Sequence, residues 1–285
     1  MLTMFTNSAA MSSTNSMNRA NSALSTAMER LGTGYRINSA ADDAAGLQIA
    51  TRLDGQARGM GVAQNNISKA TAMMQTAEGA FDEVNNILFR MKDLATQAAD
   101  DTNNADDRGA LQSEFDALNA ELGNIMSNTS YGTEKLFARD ASGNGVGKMT
   151  GELQFQIGAS KDETLKINLS GALGKVSNAL TKLSASGISG GAAAGNAMLE
   201  NVTAALDSVG SIRSDLGANI NRLGHTAANL ANMKDNTELN LGIIQDADFA
   251  AEGAKMSRQQ MLMQSSQQML SQSKGMGQMV LGMLG

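Results

Sequence analysis

The sequence predicts a mainly α protein: a long antiparallel coiled coil or helical bundle, with a small β-hairpin region near the middle of the chain. Three observations predict it. Hydrophobic heptads occupy both ends of the chain and stop between them. The 285 residues contain no Pro, so nothing forces a helix to end. The stretch between the heptads changes to an apolar–polar alternation, the period of half-buried strands. Apolar residues every 3.5 positions make a narrow seam that is buried only against other long helices. A chain made mostly of such seams packs along its length and does not enclose a substrate.

Residues 3–31 are rich in Ser and Asn, yet Met17, Ala20, Leu24, Ala27 and Leu31 keep heptad spacing. Ser and Asn are mediocre helix formers, so this helix depends on packing. Gly32 and Gly34 end it, because Gly enters the left-handed conformation cheaply. A second helix is expected to open at Ser39, whose hydroxyl caps the first turn while Asp42 and Asp43 sit at the positive end of the dipole. It meets no strong stop before Asp100, a length on the order of 85 Å at 1.5 Å per residue. Its seam is Ile67, Ala70, Met74, Ala77, Phe81, Val84, Leu88, Met91, Ala95 and Ala98. Residues 101–104 form a turn. Ala105 opens a shorter helix with the seam Leu111, Phe115, Leu118, Leu122 and Ile125, ending near Asn128.

In the middle, LQFQI (153–157) and LKINL (165–169) alternate like strands, with 158–163 as the hairpin loop. The flanks 141–147 and 184–195 are rich in Gly, Ser and Ala and read as surface loops. Helix resumes near Ala197, with Val202, Ala205, Val209, Ile212, Leu216, Leu223, Leu230 and Met233 as its seam and Asn219 and Thr226 filling two core positions. From about Asp246, Phe249, Met256, Met263 and Leu270 recur at seven-residue steps. An adjacent row, Leu262, Met269, Met276 and Met283, widens this into an amphipathic face opposite Gln and Ser. Met is flexible and suits a surface that repacks between partners.

Composition narrows the function classes. The chain has no Cys, which excludes disulfides, thiolate metal sites and a cysteine nucleophile. A net charge of −6, with no basic cluster, argues against nucleic acid as a partner. No apolar run approaches the roughly 18 residues that cross a bilayer, so no membrane association is expected. The opening residues lack the basic and apolar segments of a secretory signal peptide, so export would take another route.

No residue pattern points to catalysis, a cofactor or a metal. Asp42 and Asp43 are neighbours on a helix, project about 100° apart and do not converge on one substrate atom. His225 is the single imidazole, with no second His or Cys to complete a zinc site. Gly32-Thr33-Gly34 is too short for a phosphate loop and follows no strand. The polar face opposite the Met rows carries Gln and Ser instead of the Lys and Arg of membrane-surface helices. Four glycosylation sequons begin at Asn66, Asn128, Asn168 and Asn201, but the pattern is short and carries little weight.

Longer motifs are more specific. ALSTAMERLGTGYRINSAADDAAGLQIATRL (23–53) and TAEGAFDEVNNILFRMKDLATQA (76–98) resemble the N-terminal signature of bacterial flagellin. SIRSDLGANINRL (211–223) and IIQDADFAAEGAKMSRQQMLMQ (243–264) resemble its C-terminal block. The similarity covers about 1–140 and 197–285. Three departures stand out: GMGQMVLGMLG lacks the proline and final basic residue many flagellins carry, the middle is short, and Phe89 replaces a polar residue before Arg90. The Met-rich end and short middle resemble the lateral, swarming type.

This resemblance implies a non-enzymatic subunit that polymerises into the bacterial flagellar filament for swimming or swarming. Residues 1–41 and 243–285 would pair as the filament-core coiled coil. Residues 42–242 would form a helical rod domain with a β-region at about 138–192, the large outer variable domains being absent. The assembly seam would be Met17, Leu24, Leu31, Phe249, Met256, Met263 and Leu270. Implied partners are further copies of the chain, an export chaperone on the C-terminal helix, and the filament cap and hook-junction proteins. The product would lie outside the cell after type III export. Arg90, Leu94 and Glu114 match positions read by the flagellin-sensing Toll-like receptor of animals, with Arg90 expected to be exposed and Leu94 half-buried. The alternative is a flagellin-like hook–filament junction protein. A chemoreceptor-type signalling rod wants a membrane anchor and a single hairpin tip, for which the sequence offers no segment.

Overall fold

A computed structural model of the chain describes residues 7–138 and 146–282, with side chains through 275. The chain divides into two compact units: Met1–Ala57 with Asp235–Gly285, and Arg58–Lys234. The sequence reading places these divisions at 41/42 and 242/243. The first unit therefore takes in more of each long helix than those boundaries allow.

In the first unit, α1 (Ser8–Thr33) packs along α6 (Phe249–Gly282). Asn7 caps α1, its Oδ1 accepting from the backbone of Ala9 and Ala10 at 3.1 and 3.2 Å. Gly34 ends α1 with φ +79°, the left-handed conformation that would strain a side chain, and its N–H donates to the carbonyl of Arg30. Gly32 lies within the helix. Beyond Gly34 the chain bridges back: the Arg36 N–H donates to the Gln245 carbonyl at 2.6 Å and the Ala247 N–H to the Gly34 carbonyl at 2.9 Å.

The second helix, α2 (Ala44–Ala98), starts five residues later than expected. Ser39 is not its cap. The Asp42 carboxylate reaches back to accept from the backbone N–H of Asn38 and from both the N–H and hydroxyl of Ser39, forming a turn that precedes the helix. Asp43 caps instead, its Oδ1 accepting from the Gly46 N–H at 2.8 Å. A carboxylate at that position satisfies an orphan donor and faces the positive end of the dipole.

In the second unit, residues 58–98 of α2 run antiparallel to residues 192–234 of α5 (Ala192–Gln245). Asp82 pairs with Arg213 at 2.9 Å, while Gly195 lies against Ala99, so position rises on one helix as it falls on the other. Every predicted seam residue from Ile67 to Ala98 is buried. So are Val202, Ala205, Val209, Ile212, Leu216, Leu223 and Leu230. Asn219 and Thr226 are half-buried, as core-edge polar residues can be. Met233 is exposed: its row holds Ala205 and Ile212 in the core, leaves Asn219 and Thr226 half-buried, and has passed out of the core by position 233.

α3 (Ala105–Asn128) opens with a capping box between Asn104 and Asp107. Arg108 donates to the carbonyls of Ala98 and Asp100 at 3.2 and 2.9 Å, satisfying acceptors left open where α2 stops. A short hairpin, β1 (Ser130–Tyr131) and β2 (Glu134–Lys135), follows. It delivers Leu136 and Phe137 into the core, where the Phe137 ring lies 4.8 Å from that of Phe81. After a 3-10 turn at Lys148–Thr150, β3 (Glu152–Gln156) and β4 (Thr164–Asn168) pair antiparallel with Leu153 opposite Ile167 and Phe155 opposite Leu165. Those four side chains share the core face, as the alternation requires.

The reading of 138–192 as a β-region misses α4 (Ser170–Ala185), and the loop expected at 184–195 shrinks to 186–191. Leu173, Val176 and Leu183 of α4 are buried and Leu180 packs beside them, a 3-4-3 spacing that Gly and Ser neighbours obscure. Gln112 of α3 holds the loop after α4, its Oε1 accepting from the N–H groups of Ile188 and Ser189 at 2.6 and 3.2 Å. Of the loop expected at 141–147, residues 141–145 lie outside the described residues.

Candidate assembly surface

The α1–α6 seam is built from small and medium side chains. On α1, Ala20, Leu24 and Ala27 are buried, with Met17 and Leu31 half-buried on the same face. On α6 the inward positions are 252, 256, 259, 263, 266, 270 and 273, alternating steps of four and three. Met256, Met263 and Leu270 fill one row, half-buried. The other row is polar: Glu252, Ser266 and Ser273 are buried and Gln259 is half-buried. A seam with one polar row is weak in apolar burial and demanding in register.

Two polar contacts set that register. Near one end, Asn7 Nδ2 donates to Ser273 Oγ at 2.8 Å and to its carbonyl at 3.3 Å. Near the other, Arg30 Nη1 donates to Glu252 Oε1 at 3.3 Å. Lys255 lies 2.8 Å from the same oxygen, and Asp42 lies 4.0 Å from the other guanidinium nitrogen. The Arg30 Nε is buried without a hydrogen-bond acceptor. The hydrogen bond from Lys255 first, then its charge and Arg30, hold the Glu252 carboxyl below the usual glutamate range, against burial that pushes the other way. Backbone and hydroxyl hydrogen bonds from Ser39 likewise lower Asp42. The seven-residue step back from Gln259 lands on Glu252, which was the signal available in the sequence.

Two sequence expectations change here. Phe249 is 60% exposed; it lies over the α1 C-cap near Gly34 and does not fill the α1–α6 seam. The adjacent row does not widen the seam either: Leu262 and Met269 are 49% and 62% exposed. Position 262 is about 100° around the helix from 263, and one partner helix covers only one stripe. Met276 and Met283, the rest of that row, have side chains outside the described residues. Within the same unit Met11, Met28, Leu239, Ile243 and Met261 are also exposed.

In the second unit, Arg90 Nε and Nη2 donate to Glu114 Oε1 at 2.9 and 2.6 Å, joining α2 to α3 on an open face. Both side chains are about half exposed, and Phe89 beside them is exposed. Leu94 is not half-buried as expected; at 1% exposure it lies wholly in the core, in the same cluster as Phe115 and Leu122 of α3. Arg90 and Glu114 thus form one surface, and Leu94 supports it from within. His225 is exposed on α5, and Asp42 and Asp43 are engaged by backbone donors. Among the described residues no cluster of metal-ligating side chains occurs, and no helix is long and apolar enough to cross a membrane.

Comparison with known proteins matches both ends of the chain. Residues 4–142 match the bacterial flagellin N-terminal helical region and residues 199–284 the bacterial flagellin C-terminal helical region. A flagellin from Halalkalibacterium halodurans is 38% identical over 90% of each chain, and polar flagellin B/D of Vibrio parahaemolyticus is 33% identical over 98% of each. Among solved structures, a V. parahaemolyticus protein described as flagellar hook-associated superposes with a TM-score of 0.56, covering 72% of this chain and 99% of its own. At 15% identity that likeness shows the fold alone. With both terminal regions matched and full-length relatives above 30% identity, the chain belongs to the bacterial flagellin family.

Proposed function

We infer that this chain is a structural subunit that polymerises into the bacterial flagellar filament. The observation that carries the reading is the terminal unit: α1 and α6 pair through a narrow seam and leave Leu262, Met269, Leu239 and Ile243 facing outward. Exposed apolar side chains in such number mark surfaces that other copies cover. Contacts between unlike faces that do not close into a ring produce an open helical polymer. In that polymer, residues 1–41 and 243–285 form the core coiled coil, residues 42–242 a rod domain, and Met17, Leu24, Leu31, Met256, Met263 and Leu270 the seam. Phe249 belongs to the surface between copies.

The role is non-enzymatic, and it serves swimming or swarming. The finer partners follow from the family and from the same exposed residues. An export chaperone shields the outward Leu262 and Met269 of α6 before assembly, the chain leaves through the flagellar type III route, and the cap and hook-junction proteins meet it outside the cell. The exposed Arg90–Glu114 pair is the surface offered to the animal Toll-like receptor, with Leu94 holding it from beneath.

Seeded growth of the purified protein, viewed by electron microscopy, tests the reading. Long filaments are expected. Addition of only a few copies to seeds that then stop growing would favour the hook–filament junction role.

A further inference from the structure

Ten methionines lie at the extremes of exposure among the described residues, while Met17, Met126, Met256 and Met263 are half-buried and Met233 of the second unit is 39% exposed. Met60, Met73, Met74, Met91, Met149 and Met198 are between 0% and 4% exposed and belong to the second unit's core. Met11, Met28, Met261 and Met269 are between 51% and 64% exposed, and all four lie on α1 or α6. On α6, Met261, Leu262 and Met269 fall within an arc of about 100° outside the α1-facing stripe, at 100° per residue. These thioethers are therefore open to solvent where apolar contact with another copy is needed, while the sulfurs that hold the second unit together are shielded.

We propose that Met11, Met28, Met261 and Met269 are oxidation sites through which a peroxide controls subunit addition, an inference that rests on the assembly reading above. The sulfur lone pair attacks one peroxide oxygen, the O–O bond breaks, and the S–O bond forms. The second oxygen leaves as water with both protons; sulfur loses two electrons and the peroxide gains them. The product sulfoxide is polar and chiral, and it disrupts a Met-rich interface while being chemically reversible. Burial spares the second unit's core, so the oxidised subunit stays folded there but adds poorly to a growing end. Once a copy is in place, the next copies cover the same sulfurs.

The test treats the full-length monomer with hydrogen peroxide and follows each methionine by peptide mass spectrometry. Met11, Met28, Met261 and Met269 are expected to oxidise at least tenfold faster than Met74, Met91 and Met198; equal rates overturn the proposal. Seeded polymerisation of the oxidised monomer is expected to slow at least tenfold and to recover after treatment with the two methionine sulfoxide reductases. Unchanged polymerisation with the four sulfoxides verified overturns it. A variant carrying leucine at all four positions is expected to polymerise equally with and without peroxide, and a loss after peroxide there overturns it by placing the damage elsewhere. Failure of untreated wild-type protein to polymerise would instead reject the assembly reading itself. Peptides from preformed filaments should show the four positions protected; oxidation there at monomer rates counts against coverage by neighbouring copies and overturns the control of addition.

Discussion

Arg30 and Glu252 lie 222 positions apart in sequence, yet the guanidinium of one donates to the buried carboxylate of the other at 3.3 Å. This contact joins the end of α1 to the start of α6, and Asp42 and Lys255 gather around it. With Asn7 and Ser273 near the other end, it sets which residues of two weakly apolar helices face each other. The flagellin terminal pair is thus aligned by polar contacts and closed by small apolar ones.

The ion cluster makes the first unit acid-sensitive. The Glu252 carboxyl is lowered below the ordinary value of 4.5 by Lys255 and Arg30, so its stabilising effect is fully present above that value. It is lost as pH falls through the lower, folded-state pKa. Limited proteolysis of α1 and α6 should accelerate as pH is lowered below about 4.5, before the second unit's helices melt. Glu252→Gln should already be cleaved about tenfold faster at pH 7 and should lose much of that acid response. An unchanged pH profile in Glu252→Gln would assign the sensitivity to other carboxylates, Asp42 first.

Seam and outer-row substitutions should separate pairing from assembly. Met263→Asp or Leu270→Asp places a charge against α1, so α1 and α6 should come apart in the monomer and polymerisation should fail. Met269→Asp lies on the outward row, so the monomer's proteolysis pattern should match wild type while polymerisation still fails. Normal filaments from Met263→Asp would show that the assigned seam is wrong.

Arg90 and Leu94 should differ in kind. Arg90→Ala removes an exposed partner of Glu114 and should leave thermal unfolding nearly unchanged, since exposed substitutions are usually neutral. Receptor-bearing cells should need at least about tenfold more monomer for the same response, equivalent to about 1.4 kcal/mol of binding. Leu94→Ala empties a core position and should cost about 2–5 kcal/mol of stability. Equal potency of wild type and Arg90→Ala would reject Arg90 as a contact.

Two glycines of α5 should respond with opposite signs. A Cβ at Gly195 would lie 2.7 Å from the Ala99 backbone nitrogen, so Gly195→Ala should destabilise by about 1–3 kcal/mol through overpacking. A Cβ at Gly210 meets nothing within 4 Å, so Gly210→Ala should stabilise by about 0.5–1 kcal/mol through helix propensity. Thermal unfolding of both variants decides; a destabilised Gly210→Ala would mean that face is covered.

What the sequence determined by itself is the part governed by short-range period and punctuation. The seams from Ile67 to Ala98 and from Val202 to Leu230 are buried as their heptads require, because burial along a helix repeats with the helix's own geometry. The β3–β4 hairpin follows from alternation, the stop at Gly34 from its lack of a Cβ, and the family from motifs spread over both ends. Tertiary structure decided everything that depends on which stripe a partner covers. It turned Leu262 and Met269 outward while admitting Ser266 and Ser273, put Leu94 wholly inside, and left Phe249 over a helix cap. It also brought Arg30 to Glu252, and it made α4 from a Gly- and Ser-diluted stretch that becomes helical because its apolar face has a core to pack on. Local pattern states that a face is apolar; only the neighbours in space determine whether that face is filled, shared or left for another copy.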